Sequence, residues 1–266
     1  MGAIRETGDT VAVQCVVDDG VAYIRLNRPR SRNAVSIEVA NRLTALWDRI
    51  DSDDAIKAVV LDAAECGVFC AGMDLKEMKA ARESGEDPLT KMHDPFQSRM
   101  REIGKPIIAA LTGHFIGAGM LLAMGADIRI GLAGSTGAIS EAKFGRGTSW
   151  IVPMLWMLPT PILAEMAMTG DSVPVEDLKR HGFVNHVEET VTGVRDKAKE
   201  IAEKIAANSP LSVRAAKQTL VAGMDLGCAE GLIRGEELHR PVYASRDATE
   251  GASAFSEKRK PHWIGR

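Results

Sequence analysis

The stretch Pro106–Ile130, PIIAALTGHFIGAGMLLAMGADIRI, decides how the rest of the chain is read. Ile107–Leu111 is an apolar run of strand length, entered by a proline that suits a strand's first position. Thr112–Gly119 then places three glycines in eight residues, where backbone bends sharply or is approached closely. From Ala118 the residues favour a short helix, and Asp127–Ile130 returns to strand. A glycine-rich turn feeding a helix N-terminus presents free N–H groups and the positive end of a helix dipole. The stretch is suited to facing negative charge, carried or developing.

One reading of that charge is a dinucleotide phosphate, since Thr112-Gly113-x-x-x-Gly117-x-Gly119 matches the glycine fingerprint of short-chain dehydrogenases. Three features disfavour it. The fingerprint opens the first strand–helix unit of its domain, whereas several elements come first here. The helix that follows has room for about two turns, less than a crossover helix needs. The tyrosine-x-x-x-lysine pair is missing, because Tyr23 is followed at that spacing by Asn27 and Tyr243 by Asp247. A second reading is a tight turn that needs glycine for packing alone.

The chain has 266 residues, 45% of them apolar, enough for one large domain or a domain with an appendage. The net charge is −3, with lysine and arginine spread along the chain, so nothing points to nucleic acid or a membrane surface. Cys15, Cys66, Cys70 and Cys228 form no C-x-x-C pair and read as reduced thiols, with no metal site expected. The apolar run Phe115–Ala126 is too short to span a bilayer, Pro153, Pro159 and Pro161 break the next one, and no signal-peptide core is visible. A soluble, cytoplasmic protein is the expectation.

Along the chain, Val11–Val17 and Val21–Leu26 flank the turn signal Asp18-Asp19-Gly20 and predict a hairpin. Asn27–Val35 is a basic loop. Ser36 is placed to cap a helix whose apolar positions Ile37, Ala40, Leu43, Leu46/Trp47 and Ile50 recur every three or four residues. Lys57–Asp62 reads as strand, Phe69–Asp74 as a second glycine-bearing turn, and Leu75–Ala81 as helix. Glu83–Pro88 reads as a flexible loop or lid. Phe96, Met100 and Ile103 space the next helix, so strand–turn–helix occurs twice.

After Ile130, a loop carries Ile139–Gly145, and Trp150–Ala167 is helical in pieces. Pro174 suits a first helical turn with Gly182 beyond its end, and Phe183–Val187 is a late strand. Val191, Val194, Ala198, Ile201 and Ile205 make one helical stripe before Asn208-Ser209-Pro210, and two further helices follow. The change of character places a boundary near Thr190, between a mixed core (1–190) and an all-helical region (191–266).

Four motifs appear in order: Phe69-Cys70-Ala71-Gly72-Met73-Asp74-Leu75, Gly117-Ala118-Gly119, Ser140-Glu141, and Glu250-Gly251-x-x-Ala254-Phe255 with Glu257–Pro261 behind it. Each is soft alone, but together, over about Val11–Lys260, they resemble the crotonase, or enoyl-CoA hydratase/isomerase, superfamily. The resemblance implies an α/β fold, with a crotonase-type spiral core of repeated ββα units and a C-terminal helical region for trimerisation. It also implies an acyl-CoA thioester substrate, a homotrimer or dimer of trimers, and no cofactor beyond the coenzyme A that enters with the substrate.

The resemblance further implies an oxyanion hole made by the backbone N–H groups of Met73 and Ala118. A thioester becomes an enolate when a proton leaves C2 or a nucleophile adds at C3, and rigid backbone donors stabilise that charge without reorganising. Most relatives carry glycine at Ala118, and a methyl group there requires negative φ. Glu141 is implied as the acid/base, since partial burial in the weakly polar loop ISEAKFG would raise its pKa. By spacing alone, Glu141 reads instead as a surface glutamate pairing with Lys143 or Arg146.

Two-glutamate hydratases carry their other glutamate at the position of Leu121. One glutamate plus leucine resembles mitochondrial enoyl-CoA isomerases, and some hydratases and dehydratases also work with one. Hydration of a 2-enoyl-CoA and a double-bond shift both stay open, beside a non-catalytic acyl-CoA binder. Substrate contacts are implied at Arg28, Arg30, Arg32 and Ala34, at Ala71, Asp74, Leu75 and Lys76, at Leu121, and at Phe255 and Lys258. The bland alternative for the basic residues is a solvated loop. His114 reads as a core histidine. Ser149 stands where related dehalogenases carry an aspartate nucleophile, which disfavours dehalogenation.

Overall fold

The computed structural model describes residues 4–84 and 92–266. Most of the expected lid, from Gly85 onward, lies outside them. β1 (Arg5–Glu6) pairs antiparallel with β2 (Val13–Asp18), which forms the expected hairpin with β3 (Val21–Leu26). The hairpin turns through Asp19 and Gly20, both at positive φ, as a two-residue turn of matching twist requires. Ser36 caps α1 (Ile37–Ser52), its hydroxyl accepting the Val39 N–H at 3.2 Å. The expected apolar stripe is buried from Ala40 to Ile50.

From here a unit repeats. β4 (Ala58–Ala63) and β5 (Val68–Cys70) lead to α2 (Leu75–Glu83). After α3 (Gln97–Glu102), β6 (Ile107–Leu111) and β7 (His114–Ile116) lead to α4 (Ala118–Gly125). β8 (Ile128–Leu132) and β9 (Thr136–Ala138) lead to a short 3₁₀ turn at Glu141–Phe144. The second strand of each unit is a difference from the sequence reading, which took Phe69–Asp74, Thr112–Gly119 and the residues after Ile130 as turn or loop. These strands are only three residues long and adjoin glycines, so they carry no legible period.

The helical pieces are the 3₁₀ segment Ser149–Trp156, which contains Pro153, and α5 (Thr160–Thr169), which carries Pro161 in its first turn. β10 (Ser172–Pro174) ends on Pro174, which caps α6 (Val175–Arg180) instead of sitting in its first turn. The late strand is β11 (His186–Glu188), and α7 (Val191–Ala206) carries the expected stripe. α8 (Pro210–Tyr243) replaces the first of the two further helices with a long one sharply kinked at Gly227, and α9 (Arg246–Glu257) follows.

Among the described residues the first strands of the units join one sheet, in the order β1-β2-β3-β4-β6-β8-β11, parallel from β3 onward. The second strands join another, in the order β10-β9-β7-β5, with β5, β7 and β9 parallel. Each unit thus crosses from one sheet to the other, which is the ββα spiral.

β4 is buried at every residue, as a parallel strand covered on both faces should be. Val59, Leu61, Ile107 and Leu111 face the main core, while Val60, Ile108 and Ile130 pack beneath Val194, Ala198 and Ala202 of α7. The turn to helix at Thr190 therefore does not mark the end of packing on the sheet, since α7 is its outer cover. α8 is tied to the core by buried Lys217. Its Nζ lies 2.9 Å from Asp127 Oδ2 and donates to the carbonyls of Met100 and Lys105, each at 3.1 Å.

Gly119 sets how closely α4 approaches β5, because a Cβ there would collide with the Cys70 carbonyl. Backbone cannot yield as a flexible side chain can. Gly119→Ala is expected to destabilise the fold by about 1–3 kcal/mol, read as a lower urea midpoint at unchanged m-value.

Candidate active site

The three small-sheet strands deliver three turns to one place. β5 runs into Gly72-Met73, β7 into Gly117-Ala118, and β9 into Ser140-Glu141. The Gly117 N–H donates to the Ala138 carbonyl at 3.1 Å, which fixes the second turn against the third. A Cβ on Gly72 would lie 3.9 Å from Ala118 N, and one on Gly117 would lie 3.8 Å from Gly72 Cα and 3.4 Å from Glu141 Oε1. Residues 73, 118 and 141 are thus neighbours.

The turn geometry frees two donors. Gly72 has φ 105° and Gly117 φ 54°, so both bends fall on residues without a Cβ. Ala118 is not among the positive-φ residues, and its methyl group is buried inside the first turn of α4. A methyl group at this position is therefore accommodated without strain. The Ala118 N–H is the first of α4 and points out of its end. Met73 pairs with Val35 as an isolated parallel bridge through its neighbours: Val35 N–H donates to Gly72 O and Asp74 N–H to Val35 O, each at 2.8 Å. Met73's own N–H points the other way. Among the described residues, neither this N–H nor that of Ala118 donates to a protein acceptor.

Glu141 faces this opening. Its Oε2 is buried without a hydrogen-bond partner among the described residues, and burial pushes its pKa above the ordinary carboxylate range. Backbone hydrogen bonds and Arg146 oppose that shift only partly. The surface-pair alternative fails for Lys143, whose Nζ is 2.7 Å from Asp171 Oδ1. Leu121, partly buried, packs against the core.

The polar residues expected to meet substrate divide. Arg28 Nη2 pairs with Asp74 Oδ2 at 2.9 Å and its Nη1 donates to Ala34 O at 2.8 Å, so the two residues hold the loop to the start of α2. Arg30, Arg32 and Lys76 are exposed, with no ion-pair partner among the described residues. Ala71 is half-buried and Leu75 exposed beside the first turn. Phe255 is 87% exposed on α9, and Lys258 follows at its C-terminal end. Both are exposed among the described residues.

His114 is structural, its Nδ1 accepting the Thr136 N–H at 3.1 Å. Cys70, beside the first turn, is inert as a nucleophile because burial pushes its thiol up to about 12. The sequence reading missed Arg129. Its buried guanidinium donates to the Ala123 and Ala126 carbonyls (3.2 and 2.6 Å) and to Phe183 O, and lies 4.8 Å from the Phe183 ring centroid. It thereby occupies the negative end of the helix whose positive end presents Ala118. An arginine inside a strand-like run was the available signal.

This arrangement can be set beside known proteins. The family model for enoyl-CoA hydratase/isomerase matches residues 17–266. The chain belongs to the enoyl-CoA hydratase/isomerase family. It is 32% identical to an (E)-benzylidenesuccinyl-CoA hydratase of Thauera aromatica, over 94% of this chain and 97% of that protein. It is 33% identical to a carnitinyl-CoA dehydratase of Proteus mirabilis, over 92% and 95%. A crystal structure of enoyl-CoA hydratase from Mycobacterium tuberculosis superposes with a TM-score of 0.84 at 32% identity, covering 96% of this chain and 99% of that one. The chain has the crotonase fold and is an enzyme of this family of lyases and isomerases.

The raised pKa of Glu141 has a consequence for stability. A carboxyl whose folded pKa exceeds its unfolded one favours the fold at low pH and costs stability as pH rises through the folded value. Glu141→Gln removes that cost. Its Tm should exceed that of the unmodified enzyme at pH 8, and the difference should shrink towards pH 4; a pH-independent difference would contradict the burial of an ionisable carboxylate.

Proposed function

We propose that this family member binds an acyl-CoA thioester with its carbonyl oxygen on the N–H groups of Met73 and Ala118, and that Glu141 is its single acid/base. The convergence of two unengaged backbone donors with a half-buried carboxylate, one of whose oxygens is buried without a partner among the described residues, carries the reading. As negative charge grows on the thioester oxygen, each fixed donor contributes about 2.7–4 kcal/mol to the transition state. Glu141 in its ionised form takes a proton from the substrate or from water and returns it protonated, so activity falls as pH drops through its raised pKa.

With Leu121 instead of a second glutamate after the Gly117–Gly119 turn, the site has one carboxylate with which to hold water. One carboxylate is enough to carry a proton between C2 and C4. The reaction is therefore the hydration of a 2-enoyl-CoA or a double-bond shift, with hydration of short 2-enoyl-CoA expected to be slow. Arg30, Arg32 and Lys76, without ion-pair partners among the described residues, are suited to the phosphates of coenzyme A, which enters as part of the substrate; no other cofactor takes part in this scheme.

A panel of enoyl-CoA thioesters, followed by absorbance of the conjugated thioester and by product mass, tests the assignment. Glu141→Gln should keep affinity for the substrate and lower kcat about 10²-fold or more. Turnover within a few-fold of the unmodified enzyme would remove Glu141 from the mechanism. Fast hydration of crotonyl-CoA would instead remove the preference for isomerisation.

We also propose that the enzyme is a trimer or a pair of trimers whose helical region completes a neighbour's site. The support is the row of large apolar side chains left exposed on α8 and α9, Leu220, Leu232, Ile233, Tyr243 and Phe255. Phe255→Ala and Lys258→Ala, both at exposed positions, should each weaken coenzyme A binding several-fold without loss of fold. A fully active monomer by light scattering at assay concentration would overturn this.

A further inference from the structure

Asn33 is 1% exposed and lies in a loop otherwise rich in exposed arginines. Its backbone is left-handed, with φ 53°, a conformation asparagine tolerates better than most residues. Its side chain is fully used. Nδ2 donates to the carbonyls of Ala64 and Val68, each at 2.9 Å, and Oδ1 accepts the Arg28 N–H at 3.1 Å. One amide thus clamps the loop Arg28–Val35 onto the turn between β4 and β5.

The consequence lies two residues further on. The clamped loop is hydrogen-bonded along the whole of the turn that presents Met73. Ala71 N–H donates to Arg32 O at 3.1 Å, Val35 N–H to Gly72 O at 2.8 Å, and Asp74 N–H to Val35 O at 2.8 Å. Every backbone group flanking the Met73 N–H on that side is held by residues 32–35. In an extended pairing, alternate groups point to opposite sides, so these bonds dictate where the Met73 N–H is aimed. The second donor needs no such support, because Ala118 is fixed by the helix it begins.

We infer that Asn33 is a positioning residue for catalysis: by clamping the Arg28–Val35 loop it sets the direction of the Met73 N–H towards the substrate carbonyl. The inference rests on the proposed oxyanion role of Met73. Asn33→Asp keeps the size, the left-handed backbone and the acceptor to Arg28, but turns a carboxylate oxygen towards two carbonyls and so releases the clamp.

The test uses the full-length enzyme and a CoA thioester of 4-dimethylaminocinnamic acid, whose absorbance moves to the red when its carbonyl is polarised. Asn33→Asp should reduce the red shift of the bound probe and lower kcat by about tenfold to a hundredfold, the usual effect of misplacing a group by an ångström or less. KM should stay within about threefold, since the direction of a transition-state contact is altered, not ground-state binding. If the variant does not fold, Asn33→Gly, which keeps the backbone conformation without a buried charge, is read the same way.

A lower Tm with unchanged red shift and kcat would make Asn33 merely structural and overturn the inference while leaving the oxyanion reading intact. A raised KM with unchanged kcat would do the same, assigning the loop to coenzyme A binding alone. No red shift in the unmodified enzyme would overturn both.

Discussion

Three strands of three residues each, β5, β7 and β9, lie side by side and parallel, and the site depends on that arrangement. Neighbouring strands in a sheet are held at about 4.8 Å by their hydrogen bonds. Whatever follows the strands is therefore delivered to the same edge at van der Waals spacing. Met73, Ala118 and Glu141 each stand just beyond the end of one of these strands, which is why residues so far apart in sequence meet. The larger sheet repeats the same progression with β4, β6 and β8, so the two sheets index one another.

Close approach is what the glycines provide. Gly119 lets α4 rest on β5, and the bends at Gly72 and Gly117 turn the chain at positive φ without a side chain in the way. Polar groups then set the field. Arg129 occupies the carbonyl end of α4, burial of its guanidinium lowering its pKa to about 10. The other end of the same helix is left with an unengaged N–H beside a carboxylate whose second oxygen has no partner. Unsatisfied buried polar atoms are costly in a folded protein, and in the proposed reading a substrate carbonyl and a transferable proton are the partners this pair takes.

The relatives show how far the shared fold reaches. A hydratase for (E)-benzylidenesuccinyl-CoA and a carnitinyl-CoA dehydratase resemble this chain to a similar degree. Family membership thus carries the thioester chemistry, while the acyl group is a matter for local side chains.

Much was legible in the sequence because it is local. The hairpin follows from Asp19-Gly20, α1 from the Ser36 cap and its apolar period, and the two decisive bends from Gly72 and Gly117. Glu141 was marked by its motif and by the weakly polar residues around it. The strands β5, β7 and β9 were not legible, being too short for a period to emerge, and with them went the second sheet.

Two assignments needed tertiary contacts. Arg28 and Asp74 lie far apart in sequence and could be paired only once the loop and α2 were placed. Asn33 gave no sign of being a clamp, since its partners are main-chain carbonyls that any sequence would supply. Local periodicity and turn chemistry are written in side chains. The direction of a backbone N–H, and the distance between three turns, are decided by hydrogen-bond register between strands and exist only in the folded chain.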